Sequence, residues 1–140
     1  MIVLDTNVLS ELMRPVPEPR VVDWLDTQET ASVAITAITV AEVLYGIERL
    51  PDGRRKRSLA AAAAAMFDED FAGRILAFDG EAAIHYAERV AASEQAGRAV
   101  QMADAQIAAI CLRHQATLAS RNVKDFAGCG VPLINPWDPG

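Results

Sequence analysis

Cysteine is scarce in this 140-residue sequence: Cys111 and Cys129 are the only two, and neither belongs to a C-x-x-C pair. A disulfide framework is excluded, and a reducing compartment is expected. Histidine is equally sparse, and the spacing of His85 and His114 suits no zinc site, so both are read as structural. Long apolar runs are missing as well. The uncharged stretch at residues 30–41, which no other exceeds in length, is short and rich in threonine, so no bilayer span is expected. Met1 leads straight into Ile2-Val3-Leu4-Asp5 with no basic n-region, which predicts no signal peptide and a cytoplasmic location. There is no Gly-rich phosphate loop and no G-x-S-x-G elbow. Positive charge is also in deficit, with 13 Lys and Arg against 19 Asp and Glu and a net charge of -6. On its face that balance speaks against a nucleic-acid partner.

What is present is a hydrophobic fraction of 51%, enough for a chain of this length to bury a core without staples. Short β-branched runs at 2–4, 32–35, 75–77, 117–119 and 132–134 read as strands. Helical stretches lie between them at 6–13, 19–27, 40–50, 54–70, 81–96 and 102–114. Strands separated by helices predict crossover connections, a parallel sheet covered by helices and an α/β fold of one domain. Pro15, Pro17 and Pro19 punctuate one junction and Pro51-Asp52-Gly53 another, and neither is long enough to be a domain linker. The six alanines at 60–65 read as helix. Arg54-Arg55-Lys56-Arg57 is either a solvated helix end or a contact for an anionic partner.

Several carboxylates sit against this pattern. Asp5 follows the first strand, where an α/β sheet places ligands and where an aspartate also caps a helix. Glu42 closes Thr39-Val40-Ala41-Glu42, which reads as a capping box. Asp104 is more telling, because the helical series from it runs through Ile107, Ala108 and Cys111, along the apolar stripe. A charge there needs an arginine, a raised pKa or a metal ion, and Arg98 and Arg113 lie off the stripe, which favours the metal. Ser120-Arg121-Asn122-Val123-Lys124-Asp125-Phe126 follows another strand and brings a hydroxyl, an amide and a carboxylate to the edge that Asp5 would share. Gathered carboxylates raise one another's pKa unless a divalent cation neutralises them, and oxygen-only ligands suit Mg²⁺ or Mn²⁺. The chemistry this leaves is metal-assisted attack of water on a phosphodiester.

Residues 1–11 (MIVLDTNVLSE), 37–46 (AITVAEVLYG), 103–108 (ADAQIA), 120–126 (SRNVKDF) and the Asn135-Pro136-Trp137 close resemble, in order and spacing over almost the whole chain, a PIN-domain toxin of the VapC group, in its FitB-like branch. The resemblance implies a single PIN domain over residues 1–140, with a central parallel sheet and a Mg²⁺- or Mn²⁺-dependent endoribonuclease activity. It also implies a homodimer silenced by a small DNA-binding antitoxin that docks in an apolar groove, with transfer or ribosomal RNA as substrate. Carried over by position, Asp5, Glu42 and Asp104 match the acidic pocket. Asp5 and Asp104 are implied as direct metal ligands, Glu42 as holder of a metal-bound water or base, Thr6 as orienting Asp5 through its hydroxyl, and Ser120 as the family's Ser/Thr. At Asn122 the family often has Asp. Asn122 offers an oxygen without charge, and Asp125 is the carboxylate that can replace it. Arg121 and Lys124 are expected to meet RNA phosphate, and Trp24, Leu25 and residues 40–47 are available for the groove or, more simply, for the core.

Three alternatives stay open. A DNA-directed PIN-like nuclease would carry more carboxylates and helical insertions. An aspartyl phosphatase or receiver would want a second Asp where Asn7 stands. A catalytically impaired binding module would show its loss at Asn122.

Overall fold

The computed structural model describes residues 1–138. Its strands are β1 (Ile2–Leu4), β2 (Val33–Thr36), β3 (Ile75–Leu76), β4 (Thr117–Ala119) and β5 (Leu133–Ile134). They form one sheet in the order β3-β2-β1-β4-β5, with every neighbouring pair parallel. The helices are α1 (Thr6–Leu12), α2 (Pro19–Asp26), α3 (Ala37–Glu48), α4 (Arg54–Ala65), α5 (Gly80–Gln95) and α6 (Met102–His114). No helix among the described residues is long and apolar enough to cross a membrane.

The two-residue period of the central strands divides the core. Leu4 and Ala119 join Val8, Val21, Ile35, Val43 and Phe67 on one face. Val3 and Leu118 join Ile107, Cys111 and Phe126 on the other. Every residue of β2 is buried, as expected for a parallel strand covered on both faces. Trp24 and Leu25 pack against the first cluster, so they serve the core. The alanine run is helical, and Pro19 stands in the first turn of α2.

Two boundaries differ from the sequence expectation by more than two residues. Helix α3 begins at Ala37 rather than residue 40, because buried Thr36 is its N-cap and its Oγ1 accepts the Thr39 N–H at 3.1 Å. The stretch 54–70 is not one uniform helix either: the α-helix ends at Ala65 and a wider π turn carries the chain through Met66–Asp70.

The sheet order creates the site. From β1 the chain crosses to β2 on one side, and later returns to place β4 on the other. That reversal opens a crevice at the carboxyl ends of β1 and β4, where open α/β sheets bind ligands. The register closes it tightly, since Leu4 pairs with Ala119 and the Asp5 N–H donates to the Ala119 carbonyl at 2.8 Å.

Candidate active site

Asp5 and Ser120 are the first residues beyond the two strand ends, and both are buried. The Ser120 hydroxyl donates to Asp5 Oδ2 at 2.7 Å, and the Asn7 amide donates to the same oxygen at 3.2 Å. Asp5 Oδ1 accepts the Thr6 backbone N–H at 2.8 Å, so Asp5 both caps α1 and faces the crevice. Thr6 therefore holds Asp5 through its main chain, not through its hydroxyl as expected. That hydroxyl donates instead to Glu42 Oε1 at 2.6 Å.

Glu42 is no capping-box residue. With the helix starting at Ala37, Thr39 occupies the position that the box would give to an acid, and Glu42 lies almost a turn further on. Three threonines anchor it in relay. The Thr36 hydroxyl donates to Thr39 Oγ1 at 3.4 Å, and Thr39 and Thr6 share a 3.0 Å bond. Because Thr6 gives its one proton to Glu42, that shared bond runs from Thr39 to Thr6.

Asp104 comes from the first turn of α6, above the buried Ile107, Ala108 and Cys111, as the apolar stripe predicts. Its pKa is pushed up to about 6, chiefly by burial and then by the charges of Asp5, Asp125 and Glu42. Burial likewise raises Asp5, against the lowering effect of its bonds from Ser120 and Thr6, and Glu42 and Asp125 raise it further. The four carboxylates thus share one field. No cation relieves them: the ion pairs among the described residues join Arg14 to Glu11, Lys56 to Glu48 and Asp52, and Arg113 to Asp79 and Glu81.

Around the rim, Asn122 is exposed and its backbone N–H donates to Ser120 Oγ at 3.0 Å. Asp125 is the fourth acid, exposed on the 3₁₀ turn Val123–Phe126 and lining the same cavity as Asp104 and Lys124. Arg121 is turned elsewhere, its guanidinium 5.0 Å from the ring centre of Trp137. Two further residues belong to the site although the sequence pattern does not single them out. Asn7 ties the site together, giving its amide to Asp5 and Ser120 and accepting the Arg121 N–H on its carbonyl at 3.1 Å. Thr39 is the buried middle of the threonine relay. Their one sequence signal is adjacency, Asn7 in Asp5-Thr6-Asn7 and Thr39 one helical turn before Glu42.

A hard divalent cation suits this donor set, which is all oxygen, crowded with negative charge and unpaired with any base. No three acidic, His or Cys side chains among the described residues are close enough to enclose an ion by themselves. Mg²⁺ does not require such a cluster, because it keeps several waters and takes only one or two carboxylates. The residues fit the group.

The PIN-domain profile matches residues 2–128. The chain belongs to the PIN-domain family. Among the relatives of this PIN-domain chain, the plasmid stability protein StbB of Pseudomonas syringae pv. tomato is 44% identical, with 99% of each chain covered. The VapC ribonuclease Y4jK of Sinorhizobium fredii is 37% identical over 99% of each, and toxin FitB of Neisseria gonorrhoeae is 41% identical over 98% of this chain and 99% of its own. A crystal structure of FitAcB from Neisseria gonorrhoeae superposes with a TM-score of 0.92 at 41% identity, covering 98% of this chain and 99% of that one. The likeness places this PIN domain in the VapC and FitB branch and agrees with the five-stranded parallel α/β fold described above.

Proposed function

We propose that this protein is the toxin of a toxin–antitoxin pair, a divalent-cation-dependent endoribonuclease acting in the cytoplasm as one PIN domain. The observation that carries the reading is the convergence of Asp5, Glu42, Asp104 and Asp125 in a shared field with no basic partner. Asp5 and Asp104 are the residues that would hold Mg²⁺ or Mn²⁺, which when bound polarises a phosphoryl oxygen and acidifies a water.

The chain's own groups supply orientation and proton transfer. Ser120, Asn7 and the Thr6 N–H leave Asp5 no rotational freedom, which fixes the side of the crevice where phosphate must lie. Glu42 is exposed at the crevice with Oε1 tethered by Thr6, so its other oxygen is free to accept a proton from attacking water. Asp125 adds charge at the rim in place of Asn122, and Lys124 offers a phosphate contact there, whereas Arg121 would have to leave the Trp137 ring to join it. The negative pocket becomes attractive to RNA once a cation occupies it, so the overall charge of -6 does not oppose this function.

The antitoxin fits a groove of about 1030 Å³ between α1, α3 and α4. Met13, Val43, Ile47, Leu50 and Leu59 give it an apolar floor, and Glu42 stands in its wall. An apolar antitoxin segment lying there brings a basic side chain against Glu42 and closes the site. A homodimer completes the assembly.

Antitoxin-free protein incubated with cellular RNA in Mg²⁺ or in EDTA tests the reading, together with Asp5→Asn and Asp104→Asn. Cleavage is expected in Mg²⁺ alone and only by the wild type. Cleavage that persists in EDTA or in both variants sinks the mechanism, cleavage of DNA in place of RNA makes the protein a DNA-directed nuclease, and no cleavage at all leaves an inactive binding module.

A further inference from the structure

A second cavity, of about 480 Å³, opens on the opposite side of the acidic cluster from the apolar groove. The groove reaches the cluster at Glu42, whereas this cavity reaches it at Asp104 and Asp125. One wall is the segment 98–101 leading into α6, and the other is the turn carrying Lys124, Asp125 and Ala127. Its size is that of a small-molecule pocket, sufficient for one nucleotide.

Two cations stand in it beside the carboxylates, yet neither Arg98 nor Lys124 has a carboxylate partner within 4.0 Å among the described residues. Arg98 is held in place rather than loose. Its Nη1 donates to the Ala127 carbonyl at 3.1 Å, and the guanidinium lies against Gly128, whose φ of +83° and missing Cβ make room for it. One bond leaves most of the five guanidinium donors unspent. Gln101 adds an amide. It is the N-cap residue of α6 but makes no side-chain capping bond, so both its donor and its acceptor are available.

Resting on the ribonuclease reading, we propose that this cavity is the subsite for the nucleotide next to the scissile bond, with Arg98 and Lys124 gripping its phosphate and Gln101 meeting the edge of its base. An anchored guanidinium and a second, exposed cation beside an acidic centre suit a polyanion whose reacting phosphate is drawn to that centre while the neighbouring phosphate needs a separate counter-charge. A monoanionic or apolar ligand would use only part of the wall. The base preference of the enzyme is then set at Gln101.

The test compares wild type with Lys124→Gln, Arg98→Gln, Arg98→Lys and Gln101→Ala, using single-stranded RNA oligonucleotides randomised beside the cut. Because Arg98 also braces Ala127, the Lys variant and Lys124→Gln keep the result interpretable if Arg98→Gln is unstable. Removing either cation is expected to raise KM about tenfold with kcat nearly unchanged, and to reduce the salt slope of binding by up to about 0.7, the worth of the one phosphate the two cations share. Arg98→Lys recovers much of the affinity. Gln101→Ala keeps the salt slope but flattens discrimination among bases at one position by about tenfold. Wild-type KM, salt slope and base preference in all variants of an active enzyme overturn the subsite alone. A wild type that cleaves no RNA overturns the ribonuclease reading and the subsite with it.

Discussion

Thr6 and Glu42, 36 residues apart in sequence, are joined by a 2.6 Å hydrogen bond from the threonine hydroxyl to Oε1. That bond couples the carboxyl end of β1 to the middle of α3, and Thr39 backs it from beneath. Thr6→Val removes the donor while keeping the volume, and frees a carboxylate whose position matters to proton transfer. We expect kcat to fall by about 10- to 100-fold, within the usual worth of a positioned acid or base, and Thr6→Ser to retain most activity. Equal loss in both variants would assign Thr6 a packing role instead.

Asp104 makes the ion-free protein sensitive to pH. Its folded pKa of about 6 lies above the ordinary value of 3.8, so the folded chain holds the proton more tightly than the unfolded chain. The stability this gives is complete below about pH 4, declines as pH rises and is gone above about pH 6. Burial raises Asp5 in the same direction. In EDTA, Tm is therefore expected to be higher at pH 5 than at pH 7.5, with the difference shrinking in Asp104→Asn. Adding Mg²⁺ should raise Tm at pH 7.5 and do little at pH 5, where protons compete for the same oxygens. A Tm that climbs steadily from pH 5 to 7.5 without metal contradicts the assignment.

Ser120 is fully buried and serves three partners, donating to Asp5 and accepting from Asn7 and the Asn122 N–H. Ser120→Ala should cost about 1–3 kcal/mol, because its bond goes to a carboxylate and its loss strands buried polar groups. It also removes the bond that lowers the Asp5 pKa, so the acidic limb of the pH–rate profile should move to higher pH. Denaturant unfolding and a pH series of kcat/KM measure the two effects separately.

A gain in stability is available away from the site. Helix α6 ends on Gln115, a non-glycine residue at φ +54°. The following N–H of Ala116 bonds back to Cys111 in a Schellman-type close. Gln115→Gly should stabilise the fold by about 0.5–1 kcal/mol, since only glycine adopts that conformation freely. Chemical denaturation with an unchanged m-value and a higher midpoint is the expected result, and a lower midpoint would refute it.

Much of the fold is legible in the residues where local pattern and tertiary structure agree. Residues 2–4, 102–114 and 117–119 fold within the limits their apolar periods predict, and Asp104 announces itself by riding a stripe that ends on buried Cys111. Glu42 is obscured because S/T-x-x-E fits a cap three residues too late; only the strand leading into Thr36 decides where α3 begins. The hydroxyl of Thr6 looks like a partner for its neighbour Asp5 because sequence proximity shows adjacent groups, not a partner 36 positions away. Arg98 and Gln101 give no signal at all, since their meaning depends on the turn at Gly128 against which the arginine rests.

The sheet order also sets when activity can arise during synthesis. β1 is made first but sits at the centre, and its second neighbour, β4, is not translated until residues 117–119. Ser120 and Asp125, which steady and complete the acidic cluster, follow later still. A growing chain on the ribosome thus carries Asp5 and Glu42 without a closed crevice until β4 has emerged to pair with β1. A fragment that stops before β4 lacks the Ser120 hydroxyl that holds Asp5 and the Asp125 charge that completes the cluster.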